Sequence, residues 1–210
     1  VTNDNEILTW GNNRFKLTEI PKELEGQEIR DVWAGDQFSL ALTESGELYF
    51  WGNSSLVQIR QNSIPKDAQG HIDTISVSAD NVILVLDDGS YRILGIKGTP
   101  VYGAPKELSE KKIENIVLSK DAAAALTDDG YVYVWGQDLN GILDVPEEIQ
   151  GKTKYISAGR YHLNAVTHDN QIYSWGRNDL GQLNIPQKLR DGTVPVKQLV
   201  SNYFQNYVID

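Results

Sequence analysis

Apolar residues fall in short runs along this chain, and between Tyr155 and Trp175 the pattern is complete. Tyr155-Ile156-Ser157 is an apolar run, Ala158-Gly159-Arg160-Tyr161 breaks it, and His162 to Thr167 forms a second run. His168-Asp169-Asn170 is a tight turn, and Gln171 to Trp175 is a third run. Runs this short, rich in β-branched and aromatic residues and bounded by turn residues, predict three strands. The segment ending at Ile185-Pro186 predicts a fourth, outer strand, because proline cannot donate to a sheet ladder and belongs at an edge. No segment carries a helical period.

The pattern recurs. Trp-Gly stands at Trp10-Gly11, Trp51-Gly52, Trp135-Gly136 and Trp175-Gly176, and Leu94-Gly95 fills the gap, with steps of 41, 43, 41 and 40 residues. An apolar residue before proline follows each one, at Ile20-Pro21, Ile64-Pro65, Ala104-Pro105, Val145-Pro146 and Ile185-Pro186, so five of the seven prolines share one phase. Units of about 40 residues with four short strands are blades of a β-propeller. A second marker is independent of the first. The hairpin turn needs a residue that tolerates positive φ, and the copies carry Gly46, Gly89, Gly130, Asn170 and Asn5 there.

The termini hold complementary pieces of one blade. Val1 to Gly11 matches only the later hairpin arm of a repeat, and Leu199 to Asp210 only the earlier strands. Joined, they complete a fifth blade with a wrap-around step of 45 residues, although Val1-Thr2 and Ile209-Asp210 both match Val166-Thr167. The reading is a single all-β domain over residues 1–210: five four-stranded blades, closed by pairing of the N- and C-terminal strands, which removes exposed edges.

Composition narrows the functions. There is no cysteine, which excludes disulfides and thiolate metal sites, and no methionine, which suggests a processed chain and an extracellular or cell-surface product. No apolar run reaches the ~20 residues of a membrane-spanning helix. The formal charge of -10 opposes nucleic-acid binding.

The fullest copy, from Ser157-Ala158-Gly159-Arg160-Tyr161-His162 to Asn170-Gln171-Ile172-Tyr173-Ser174-Trp175-Gly176-Arg177-Asn178-Asp179-Leu180-Gly181-Gln182-Leu183, resembles the repeat of the regulator of chromosome condensation family. It is similar in style to the compact bacterial version that includes a secreted seven-bladed β-lactamase inhibitor. In such members the residues just after the repeat's glycine face the partner and are often aromatic. The resemblance transfers that role to Asp36-Gln37, Asp80-Asn81, Lys120-Asp121, Arg160-Tyr161 and Tyr203-Phe204. Only the last two pairs bring aromatic rings, and they fall in neighbouring blades, so Tyr161, Tyr203 and Phe204 are expected to form one patch. Asp36, Asp80 and Asp121 make the remainder acidic. Five blades instead of seven, and the missing aromatic girdle, argue against β-lactamase as the target.

No catalytic set emerges. His71, His162 and His168 occupy different phases of the repeat, which disfavours a metal site. Asp87-Asp88 and Asp128-Asp129 sit at hairpin turns, where aspartate bonds its own backbone. His162 reads as core, and the repeat tryptophans as packing between blades. Trp33 reads as core or lining. Asn53-Ser54-Ser55 fits a glycosylation sequon. The expectation is a monomeric, non-catalytic protein-binding module without cofactor, a secreted enzyme inhibitor being its specific form. The alternatives are a carbohydrate-binding propeller, disfavoured because equivalent loops differ between blades, and an interaction domain excised from a larger repeat protein.

Overall fold

Each repeat folds where its apolar runs stand, into an antiparallel sheet whose strand order follows the chain. The computed structural model describes residues 1–53, 58–79 and 81–210. They form two units. Val1–Lys97 holds one sheet of β1 (Ile29–Ala34), β2 (Phe38–Thr43) and β3 (Leu48–Gly52), and another of β4 (Ile72–Val77), β5 (Asn81–Leu86) and β6 (Tyr91–Gly95). Gly98–Asp210 holds β7 (Ile113–Leu118), β8 (Ala122–Thr127) and β9 (Val132–Gly136), then β10 (Thr153–Ala158), β11 (His162–Thr167) and β12 (Ile172–Gly176). A two-stranded sheet of β13 (Gln198–Asn202) and β14 (Gln205–Ile209) ends it.

The middle strands β5, β8 and β11 are buried along their whole length. Covered on both faces, they read as continuous apolar runs such as Val82-Ile83-Leu84-Val85-Leu86 rather than as alternation. The first strand of every three-stranded sheet shifts register at one place, between Ile29 and Asp31, Ile72 and Thr74, Ile113 and Asn115, and Thr153 and Tyr155. A bulge kept at one phase is a designed bend.

The expected fourth strand is not formed: among the described residues every complete sheet has three strands. Its proline instead starts a turn. The N–H of Leu24 donates to the Pro21 carbonyl (3.1 Å), and Ala68 to Pro65 (3.0 Å), Leu108 to Pro105 (3.2 Å), Ile149 to Pro146 (3.4 Å) and Leu189 to Pro186 (2.9 Å) do the same. Proline's fixed φ suits the entry to a helical turn, and the apolar residue three positions on is delivered inward. Leu24, Ala68, Leu108 and Ile149 are all buried. Pro-x-x-apolar is therefore a core plug, not a strand end.

The Trp-Gly step joins each sheet to the loop before it. The indole N–H of Trp51 donates to the Leu17 carbonyl (3.0 Å), that of Trp135 to Val101 (2.7 Å) and that of Trp175 to Ile142 (2.9 Å). Leu94 keeps only the apolar part of this role, buried in the core that β2 and β5 share. Trp10 departs from expectation: Val1 to Gly11 forms no strand, and its indole is 86% exposed. The glycines of the step all take positive φ, for example +109° at Gly52, and a Cβ there would lie 2.7 Å from the Gln37 carbonyl oxygen. The hairpin-turn residues Asn5, Gly46, Gly89, Gly130 and Asn170 also take positive φ, between 64° and 80°.

Gly52→Ala is expected to cost about 3 kcal/mol or more, through strain plus overpacking against backbone. Gly98 has a similar φ of +94° with no atom within 4 Å of its Cβ position, so Gly98→Ala should cost only about 1–2 kcal/mol. Urea midpoints at unchanged slope measure both.

Candidate functional site

The site grows out of the turn between the first and middle strands. The N–H of Gly35 donates to the Phe38 carbonyl (2.8 Å), as do Ser78 to Asn81 (2.9 Å), Ser119 to Ala122 (2.9 Å) and Gly159 to His162 (2.9 Å). Each turn presents the two residues between these ends. Glycine stands at Gly159 because a Cβ there would overlap the His162 ring, and at Gly35 because one would overlap Phe38. The presented pairs are Asp36-Gln37, Lys120-Asp121, Arg160-Tyr161 and, before β14, Tyr203-Phe204; of the turn between Ser78 and Asn81 the structure describes Ala79.

This register corrects one assignment. Asn81 is the first residue of β5, only 2% exposed, and is not a face residue. Its copy has Ser78, as the next has Ser119, where two others have Gly35 and Gly159, and its face pair lies one residue earlier than expected. Asp80 lies outside the described residues, as do Ser54 and Ser55 of the sequon. Asp36 is exposed and Gln37 half-buried in the first unit, where the Gln37 side chain accepts from the Asn53 amide (2.8 Å).

In the second unit the turns are stitched in a row. The Lys120 N–H donates to the Arg160 carbonyl (3.1 Å), and the Arg160 N–H donates to the Tyr203 carbonyl (3.0 Å). The Arg160 guanidinium thereby lies 5.4 Å from the Tyr161 ring and 4.9 Å from the Tyr203 ring. Tyr203 and Phe204 meet edge to face at 6.1 Å. Lys120 approaches the Tyr161 ring at 5.7 Å and Asp121 at 3.8 Å. The four residues Arg160, Tyr161, Tyr203 and Phe204 thus form one cluster, with Tyr203 58% and Phe204 37% exposed.

Arg177 belongs to the same cluster and was not singled out from the sequence. Its N–H donates to the Tyr161 carbonyl (2.9 Å), and its guanidinium lies 5.2 Å from the Tyr161 ring. Asn53 and Gln137 make the same backbone bond to Gln37 and Asp121, both at 2.8 Å. The signal was therefore available as the first residue after each Trp-Gly. The Arg160 guanidinium beside the Tyr161 hydroxyl, helped by Lys120, holds that phenol below its ordinary pKa.

Behind the cluster lies a polar core. His162 Nε2 is 2.8 Å from the Asn206 amide oxygen, while Nδ1 has no partner among the described residues. The Asn164 amide donates to Ser201 (2.8 Å) and Asn206 (2.9 Å), and Ser174 donates to Asn164. The corresponding cross-strand pairs in the other sheets are Leu40–Phe50, Ile83–Ile93 and Ala124–Val134. Asn164, Ser174 and Asn206 floor a groove of about 590 Å³, walled by Ile172, Ile185, Leu199 and Phe204. Among the described residues no three His, Cys, Asp or Glu gather as a metal site. The turn aspartates behave as turn chemistry requires. Asp88 accepts the Ser90 N–H (2.8 Å), and hydrogen bonds from Thr127 and Lys111 hold Asp129 below the usual carboxylate range.

The sequence profile of the Regulator of chromosome condensation (RCC1) repeat matches residues 29–56 and 154–182. The chain carries RCC1 repeats. It is 32% identical over 136 residues to Protein RCC1 of Candida albicans, covering 65% of this chain but only 25% of that protein. Among solved structures, human WBSCR16 superposes with a TM-score of 0.68 at 17% identity, over 95% of this chain and 66% of that one. Prp20p of Saccharomyces cerevisiae, described with its binding properties to Gsp1p and histones, gives 0.68 at 20% identity, over 87% and 55%. These likenesses place the all-β fold of this RCC1-repeat chain with the RCC1-type propellers.

Burial pushes the His162 pKa below its ordinary value, with Asn206 opposing. The unfolded chain then takes up a proton, near pH 6.5, that the folded chain refuses. This contribution to stability is full above pH 6.5 and declines as pH falls toward the depressed folded value. Phe38 occupies the same register position, so His162→Phe should flatten the loss of stability between pH 7.5 and 5.5, read by urea unfolding at each pH.

Proposed function

We propose that this chain is a non-catalytic protein-binding module that engages its partner through the turn row Lys120, Arg160-Tyr161 and Tyr203-Phe204, with Arg177 beside it. The observation that carries the reading is the Arg160 guanidinium held between two tyrosine rings, on turns fixed to each other by backbone hydrogen bonds. Aromatic and arginine side chains on a rigid support are the usual anchors of interfaces, because little side-chain freedom is lost on binding. One structural relative supports the class: yeast Prp20 is described with binding properties to Gsp1p and histones and, in a second structure, bound to Kap60. Enzyme inhibition is one form such binding takes.

Tyr161→Ala with Phe204→Ala is expected to leave folding intact and to weaken partner binding by about 2–4 kcal/mol. Paired wild-type and variant baits, with unfolding curves for both, read this. Equal capture of the same protein by both baits overturns the proposal.

Five-blade closure belongs with this reading. The β13–β14 sheet lacks the Trp-Gly strand that Trp51, Trp135 and Trp175 give to three of the others, and the segment bearing Trp10 supplies one when it pairs there as a strand. Closure shields Trp10, so Trp10→Phe should remove emission that iodide does not quench. Loss of the most quenchable emission instead overturns closure.

A further inference from the structure

The chain carries a formal charge of -10, yet one turn row brings Lys120, Arg160 and Arg177 around Tyr161. Two of these cations have acidic neighbours: Lys120 lies 3.8 Å from Asp121, and Arg177 is paired with Asp179. Among the described residues no ion pair involves Arg160. It is half-buried, and its guanidinium rests 5.4 Å and 4.9 Å from the Tyr161 and Tyr203 rings.

A guanidinium stacked on ring faces gains cation–π attraction without using its N–H edge. Arginine has five such donors in a planar fork. Part of this edge meets the Tyr161 hydroxyl, and the donors left over are matched by the two oxygens of a carboxylate, which accept a pair of parallel hydrogen bonds. Stacking also removes the rotamer freedom that an exposed arginine loses on binding, so the fork is set before the ligand arrives. Tyr203 and Phe204, exposed on the same edge, offer apolar surface beside it. A phosphodiester chain would match the fork equally, but it brings one charge per residue against a strongly acidic protein, and repulsion grows with each.

We propose that this edge receives an acidic peptide segment of the partner, with an Asp or Glu carboxylate on the Arg160 fork and the adjoining peptide over Tyr203 and Phe204. The inference rests on the binding face proposed above and names the chemistry that face selects.

The test uses the full chain and three fluorescein-labelled probes: an octapeptide with two acidic residues among uncharged ones (Gly-Ser-Leu-Asp-Glu-Leu-Ser-Gly), its counterpart with Asn-Gln in place of Asp-Glu, and an eight-nucleotide single-stranded DNA. Anisotropy titrations at low and moderate salt should show binding of the acidic peptide, weakening as salt rises, with at least ten-fold weaker binding of the neutral one. Arg160→Gln should weaken the acidic peptide at least ten-fold. Arg160→Lys, which keeps the charge but not the fork, should weaken it at least five-fold. The backbone bond from Arg160 to Tyr203 survives either change, so both variants should unfold as the wild type does. Absence of acidic-peptide binding, wild-type affinity in either variant, or DNA bound as tightly as the peptide overturns the inference. A captured protein lost with Tyr161→Ala/Phe204→Ala but not displaced by the acidic octapeptide overturns it too, while leaving the binding module standing.

Discussion

At the mouth of the middle strands β2, β8 and β11 a peptide carbonyl is satisfied by the residue that follows the third strand of the same sheet. The third strand ends in Trp-Gly, the glycine takes positive φ, and the next residue donates its N–H to that carbonyl, as Asn53 does to Gln37 and Arg177 to Tyr161. Only glycine lets the two backbones come this close. At three of these steps the residue before the glycine is a tryptophan, Trp51, Trp135 or Trp175, whose indole N–H is donated to the preceding loop. Sheet, loop and turn are set by one contact, and the side chains displayed above it vary freely.

That freedom is where the binding face comes from. The same turn carries Asp36-Gln37 in one repeat and Arg160-Tyr161 in another without altering its hydrogen bonds. In the last two sheets the variation also reaches inward, where Asn164, Ser174 and Asn206 stand in place of apolar residues. A polar network whose members are bonded to each other gives directional support that an aliphatic cluster does not. Arg160, Tyr203 and Phe204 stand on the sheets joined by this network.

Much of this was written in the chain because it concerns local backbone geometry. Positive φ at Gly46, Gly89, Gly130, Asn170 and Asn5 is a requirement of single residues, and single residues report it. The proline phase was visible too, but its meaning was not. Whether Pro21 or Pro146 ends a strand or opens a turn depends on where the N–H three residues later is directed. Asn81 was misplaced by one residue because the start of β5 is fixed by the bond from Ser78 to the Asn81 carbonyl, which the sequence does not display. Arg177 escaped notice because its nearness to Tyr161 arises from a bond between segments well separated in sequence. Ala122 to Ala125, a helix-favouring run, is a strand because neighbours on both sides and both faces supply what propensity lacks.

The indole bonds reach 33 or 34 residues back along the chain, so donor and acceptor never lie in the same sheet. The cooperative unit is therefore out of phase with the written repeat: a segment excised at sequence boundaries carries an indole without its carbonyl at one end and a carbonyl without its indole at the other. Cut and rejoined at equal phase, the two halves of the contact regenerate each other at the new junction. Gain or loss of whole copies by recombination is then nearly silent to the scaffold, and such an array changes its length more readily than its joints.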